Sequence, residues 1–209
     1  MEPSTKEKLL DTALDLFSVN GYTTVSIRDI GKVVGIKESS IYYHFKNKED
    51  ILHTLLKQAE QGMQLRKDSF NQALHAVTKI TCGNFIMAGI AYIEHYLLEE
   101  RIYKWIRMLT IEKQRNEEAA TIYHRFFFAA PLEHHTKVFS YMMETGYIKE
   151  DDPVELAAEY QSLILFVFQK YFSGASMVAP ESKQAAREEL EVLLKRFYTR
   201  YFDREEMVE

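Results

Sequence analysis

The eighteen residues from Ser26 to Tyr43 constrain this chain more than any other stretch. Ser26 followed three residues later by Asp29 matches a capping box, and Ile27, Ile30 and Val34 then share one helical face. That helix can hardly pass Gly35, so it has about two turns, too few to be stable alone. A second short helix fits Lys37 to Tyr43. Two short helices parted by a tight turn are the pattern of a helix-turn-helix, and each must be held by packing against something close. Gly31 is small enough to let the second helix cross close over the first, and Gly35 suits a turn that needs positive φ. Ile30, Val34, Ile36 and Ile41 supply the apolar contacts between the pair and a preceding helix.

The flanks agree. Ser4 and Glu7 form another capping box, followed by Leu9, Leu10, Ala13, Leu14 and Phe17 at helical spacing and a stop at Asn20-Gly21. Asn47 caps a long fourth helix with Glu49 and Asp50 in its first turn, where the helix dipole favours acids. Ile51, Leu52, Leu55, Leu56 and Ala59 form its buried face. Beyond residue 65 the helical patterns lengthen and grow aromatic. Breaks are expected near Glu100, near Asn116, at Pro131, and over Gly146–Pro153 and Gly174–Pro180. Gly and Pro together are about 6% of the chain, against an average of about 12%, which disfavours a turn-rich β-sandwich. The expected fold is all-α. A three-helix N-terminal helix-turn-helix domain over 1–48 joins a larger helical domain over 49–209.

Composition excludes several functions. The single Cys82 rules out an intramolecular disulfide framework and any multi-thiolate metal site. The N-terminus has no apolar core of a signal peptide, and the longest apolar runs, Phe85–Ile93 and Leu163–Phe168, fall far short of a bilayer span. The chain therefore reads as cytoplasmic, with no membrane partner. Its net charge is −5, so nucleic-acid binding would have to be local. From Arg28 to Lys57 six basic residues face four acidic ones, a small local excess of positive charge. No Ser-His-Asp order, glycine-rich phosphate loop or nucleophile elbow is present, so the chain is not read as an enzyme. His134-His135, near His124 and Glu133, lacks the spacing of a metal site; Glu94-His95 with Glu99 reads as a solvated polar face. No cofactor or metal is expected.

The second helix of the motif exposes Lys37, Ser39, Ser40, Tyr42, Tyr43 and His44, short donors and planar polar tips suited to base edges and phosphates. Each has a plainer reading, as half-buried aromatic, surface histidine or helix filler. Here a resemblance enters. Leu16-Phe17-Ser18-Val19-Asn20-Gly21-Tyr22, then Thr23-Thr24-Val25-Ser26-Ile27-Arg28-Asp29-Ile30, then Ile41-Tyr42-Tyr43-His44-Phe45-Lys46-Asn47-Lys48-Glu49 closely resemble the DNA-binding domain of TetR-type transcriptional regulators. The resemblance covers about a quarter of the chain strongly. It implies that Ser26 is a phosphate-contacting cap and that Lys37, Ser39, Ser40 and Tyr42 read double-stranded DNA. It also implies that Tyr43 and His44 grip the backbone, that Lys48 lies near a phosphate, and that Phe45 anchors the corner before helix four. With Arg28 added and the buried Phe45 apart, these are the candidate DNA-binding residues. Gly31 stands where the family more often has Ala, and Glu38 adds a negative charge near the phosphates.

The same resemblance implies an effector domain and a homodimer. Candidates for an apolar pocket with polar tips are Tyr92, Tyr96, Trp105, Met108, Tyr123 and Phe127, although core packing explains each one singly. Phe126-Phe127-Phe128 cannot all lie on one helix face, so either that helix is buried all round or one ring lines a cavity. The helices over 154–172 and 183–202 are too apolar for a single contact face. They point to a twofold interface that includes Tyr160, Ile164, Phe168, Leu190, Leu194 and Phe197. The functional expectation is a repressor that binds a palindromic operator as a homodimer and is released by a small apolar or amphipathic effector. The alternative is an all-helical enzyme or lipid-binding protein without specific DNA binding.

Overall fold

The computed structural model describes residues 3–75, 80–149, 151–174 and 177–202, with the side chains of 66–75 left aside. Among the described residues the regular structure is helical, and the one β-type pairing is an isolated bridge between Ile148 and Phe202. No helix among them is long and apolar enough to cross a membrane. The chain divides into two compact units, Met1–Arg66 with Glu100–His124 and Lys67–Glu99 with Arg125–Glu209. Packing thus groups the chain differently from the division by role expected at residue 48, because the helix over 100–112 packs along the first helix and carries the helix over 117–124 with it.

Unit one holds α1 (Thr5–Asn20), α2 (Ile27–Val34), α3 (Glu38–Ile41), the first part of α4 (Lys48–His75), α6 (Glu100–Glu112) and α7 (Glu117–His124). Both capping boxes form: the Ser4 N–H donates to Glu7 Oε2 at 2.7 Å and the Ser26 N–H to Asp29 Oδ2 at 2.8 Å. Asn47 Oδ1 accepts from the Asp50 N–H at 2.8 Å and starts α4. The core is built from Leu9, Leu10, Ala13, Leu14 and Phe17 of α1, Ile30, Ile41 and Phe45 of the motif, and Ile51, Leu55 and Leu56 of α4. Ile102, Ile106 and Leu109 of α6 close it. Each Leu, Ile or Phe among them contributes about 1.5–3 kcal/mol on burial, which is how the short α2 and α3 persist. Gly62 is needed for close approach, since a Cβ there would come within 2.3 Å of the Trp105 ring.

Unit two holds α5 (Cys82–Ala91), a π-helical segment π1 (Tyr92–Leu97), a second, π2 (Arg125–Ala129), then α8 (Ala130–Glu144), α9 (Pro153–Phe172) and α10 (Pro180–Tyr201). Asp152 caps α9, accepting from the Val154 N–H at 2.7 Å, and Pro153 and Pro180 stand in first turns, where a missing N–H costs nothing. Gly89 lets α5 lie against α10; a Cβ there would meet Leu194 Cδ1 at 2.4 Å.

Two expectations are corrected, and one alternative falls. Pro131 does not break a helix: π2 runs into α8, with Pro131 in the first turn of α8. The helix that carries the aromatic triplet is not buried all round, because Phe126 and Phe127 are buried while Phe128 is 46% exposed. The α-helical part of α3 spans Glu38–Ile41 only; Tyr42 to His44 continue as a turn, with the N–H groups of His44 and Phe45 both donating to the Ile41 carbonyl.

Candidate DNA-binding site

The geometry of the motif follows from its glycines and caps. Gly35 has φ 81°, the left-handed conformation that its lack of a Cβ permits, and its N–H donates to the Gly31 carbonyl at 2.9 Å. At Gly31 a Cβ would sit 3.0 Å from the Ile36 carbonyl oxygen and 3.3 Å from Ile41 Cδ1. Glycine is therefore what lets α3 lie so close to α2. Ile41 and Phe45 turn inward and are buried. Lys37, Ser39, Ser40, Tyr42 and Tyr43 are left on the outer face, all exposed, with His44 half-buried behind them. Tyr43 is 88% exposed, and its ring packs edge-on with His44 at 5.2 Å. Tyr42 is 50% exposed, and on α2 Val33 is 64% exposed.

The other sequence candidates carry internal duties. The Ser26 hydroxyl donates to Asp29 Oδ2 at 2.6 Å, so it is already a cap. Those bonds hold the Asp29 carboxyl below the ordinary carboxylate range. What α2 offers a phosphate is then the first-turn N–H of Ile27 and Arg28, together with the exposed Arg28 side chain. Glu38 lies within reach of Tyr42 along the same helix, with the phenol O–H 3.4 Å from its Oε1.

Lys48 is used inside the domain. Its ammonium donates to the carbonyls of Tyr22 at 2.8 Å and Val25 at 2.9 Å, and lies 4.1 Å from the centroid of the Tyr22 ring. It ties the α1–α2 corner to the start of α4. The same corner is gripped from the other side by Glu112, the last residue of α6. That carboxylate is only 3% exposed and accepts the Tyr22 N–H at 2.8 Å. Burial, with Glu49 and Glu112 nearby, pushes the Tyr22 phenol up. Arg101 pairs with Asp11 at 2.6 Å and Lys104 with Asp15 at 2.7 Å, which fixes α6 along α1. Glu112 escaped the reading of the sequence. Its trace there is a carboxylate three residues after Leu109, in register with the apolar face of α6.

The six pocket candidates are divided between the units. Trp105, Met108 and Tyr123 belong to unit one, where Lys113 lies 3.7 Å from the Tyr123 ring centroid and Trp105 packs over Gly62. Tyr92, Tyr96 and Phe127 belong to unit two and sit in its aromatic interior. Glu94 is not simply solvated: it pairs with Arg187 of α10 at 2.6 Å and 3.0 Å. His135 packs against Tyr160 at 4.8 Å. Among the described residues no group of acids, histidines and cysteine is arranged to hold a metal. The six residues expected at a dimer interface, Tyr160, Ile164, Phe168, Leu190, Leu194 and Phe197, are all buried within the single chain. A partner cannot cover what is already covered. The faces that α9 and α10 leave outside carry Phe166 (53% exposed) and Val192 (50%) instead.

Comparison with known proteins agrees with this geometry. Residues 9–55 match the bacterial regulatory proteins of the tetR family. Over 204 residues the chain is 24% identical to IcaR of Staphylococcus epidermidis, the HTH-type negative transcriptional regulator of the biofilm operon icaADBC, covering 92% of this chain and 98% of that one. A protein from Mesorhizobium loti assigned to the TetR-family transcriptional regulators superposes with TM-score 0.71 at 18% identity, over 95% of this chain and 96% of its own. SmeT in complex with triclosan, the SmeT of Stenotrophomonas maltophilia, superposes with TM-score 0.66 at 17% identity, over 97% and 94%. At such identities the structural likeness speaks for the fold, whereas the match over 9–55 falls on the helix-turn-helix itself. Residues 9–55 thus form a DNA-binding domain of the tetR type, and over nearly its whole length the chain is similar to an HTH-type transcriptional regulator.

Proposed function

We propose that this protein is a repressor that binds a palindromic operator as a homodimer and leaves it when a small effector occupies its helical C-terminal part. The observation that carries the reading is the exposed strip of Lys37, Ser39, Ser40, Tyr42 and Tyr43, set on a motif whose corner is fixed from inside by Lys48 and Glu112. Such a strip suits a major groove: Ser and Tyr offer hydrogen bonds to base edges and phosphates, and Lys37 offers charge. Two copies about a twofold axis would place their reading segments about one DNA turn apart. The outer faces of α9 and α10, with Phe166 and Val192, offer the apolar surface for that pairing.

The direction of regulation is supported by IcaR, a negative regulator similar to this chain over nearly its whole length. Release by a small molecule is supported by SmeT, which shares the fold and is known in complex with triclosan. An effector acts only through its different affinities for the operator-competent and incompetent states.

The test is selection from a pool of random duplex DNA by the purified protein, with Tyr42→Ala alongside. Recovery of a palindrome by the wild type and its loss in the variant is the expected result. The logarithm of affinity should fall with the logarithm of salt, by about 0.9 per phosphate neutralised. No enrichment at low salt would defeat the proposal.

A further inference from the structure

Gln161 stands on α9 and is 5% exposed. Its Nε2 donates to the Phe127 carbonyl at 3.2 Å, inside π2. Its Oε1 is buried with no partner. The amide cannot be turned round, because a carbonyl accepts and does not donate. An acceptor left unmade in the interior is unfavourable by about 1–3 kcal/mol, and a leucine of similar size would avoid it. The buried acceptor has room for one more donor, from a water or from a ligand.

Its surroundings are unusual in a second way. Two π-helical segments contribute neighbouring rings: Tyr92 and Tyr96 of π1 lie 5.1 Å apart, Tyr96 and Phe126 5.6 Å, and Phe126 and Phe127 of π2 5.0 Å. π-turns inside α-helices recur at functional sites. Tyr92 keeps accessible surface although burial pushes its phenol well above the ordinary tyrosine range.

We propose that unit two binds an uncharged molecule with a flat apolar body and one hydrogen-bond donor, the donor being received by Gln161 Oε1. The proposal rests on the effector reading above and names its chemistry. The rings stack on a flat body, offset or edge-on. Gln161 and the aromatic side chains bring no charge, and Glu94, two residues from Tyr92, is already paired with Arg187. Burying an ion against them would be unfavourable by more than the contacts return. The hydroxyl or N–H of the ligand fixes its orientation, as few polar groups do in an apolar site.

The experiment compares two probes by titration calorimetry on the full-length protein. One is 2-naphthol, which carries the donor; the other is 2-methoxynaphthalene, with the same body and no donor. Wild type should bind 2-naphthol at least tenfold more tightly. Gln161→Leu should bring the two to within about twofold, with melting temperature and DNA affinity kept. Gln161→Met serves if the leucine variant does not fold, and the wild-type comparison stands without either. Less than threefold preference in wild type would overturn the proposal, as when a trapped water alone satisfies the amide. A preference that survives loss of the amide would do the same. Failure of both probes to bind a protein that still selects a palindrome would overturn it and leave the repressor reading standing. Retained preference for 2-naphthol in a protein that selects no DNA would do the reverse.

Discussion

Replacing Glu112 by alanine isolates the hold of α6 on the helix-turn-helix. The carboxylate is 3% exposed and accepts the Tyr22 N–H at 2.8 Å. A hydrogen bond to a charged acceptor contributes about 1.5–3 kcal/mol. The buried carboxylate also carries a desolvation penalty that the substitution removes, so global stability should fall by less than the bond alone suggests. The local effect is not offset in that way. Loosening the α1–α2 corner by about 2 kcal/mol should speed amide exchange at Tyr22 roughly thirtyfold. It should weaken affinity for the selected duplex by about thirtyfold at most, and only as far as the open corner becomes populated, because affinity scales with the fraction of motif held in register. The sign is diagnostic. Simple electrostatics predicts the opposite, since removing a negative charge from a DNA-binding unit strengthens binding. Glu112→Gln keeps an acceptor and should recover most of both losses. Exchange measured by NMR and affinity by fluorescence anisotropy settle the matter. If Tyr22 protection and DNA affinity both stay within twofold of wild type in the alanine variant, Glu112 does not position the motif.

Lys48→Met should lower the melting temperature by several degrees, because the Tyr22 and Val25 carbonyls lose their donor and the Tyr22 ring its cation. Lys37→Ala should leave the melting temperature unchanged and reduce the salt slope of DNA binding by about one. Phe166→Asp should convert a dimer to monomers in sedimentation while leaving helicity intact, since Phe166 lies on the outer face of α9; an unchanged mass would place the interface elsewhere. Glu7 and Asp29 are held below their ordinary range by hydrogen bonds from Ser4 and Ser26. Their contribution is fully present above the unfolded-state values and is lost as pH falls through the lower folded ones. Helicity of α1 and α2 should therefore weaken below about pH 4, and Ser26→Ala should remove that dependence from α2 when its amides are followed by NMR.

Much of unit one was legible because its signals are local. A capping box needs residues three apart, a left-handed turn needs glycine, and a buried helix face needs apolar residues at helical spacing. Ser26 with Asp29, Gly35, and Leu9 through Phe17 satisfy these within a few residues of chain. The exposed strip on α3 was legible for the same reason, since Ile41 and Phe45 must turn inward and thereby place Tyr42 and Tyr43 outside. Even the over-long second helix of the motif errs only in where the last regular turn ends.

What the sequence did not determine is what each buried face is buried against. Leu190, Leu194 and Phe197 have the spacing of a contact face, and periodicity is the same whether the cover is a neighbouring helix or a second subunit. Their burial within one chain was decided by where α9 and α10 pack. Lys48 carries a charge that suits a phosphate, yet the fold brings two backbone carbonyls from 23 and 26 residues away to its ammonium. Glu112 meets Tyr22 across 90 residues, and Gln161 meets Phe127 across 34. Local structure follows from neighbours along the chain, so the sequence alone determined most of the helices, their caps and which side chains of the motif stand outside. The partners of buried polar groups come from distant segments, and only the tertiary structure could choose them.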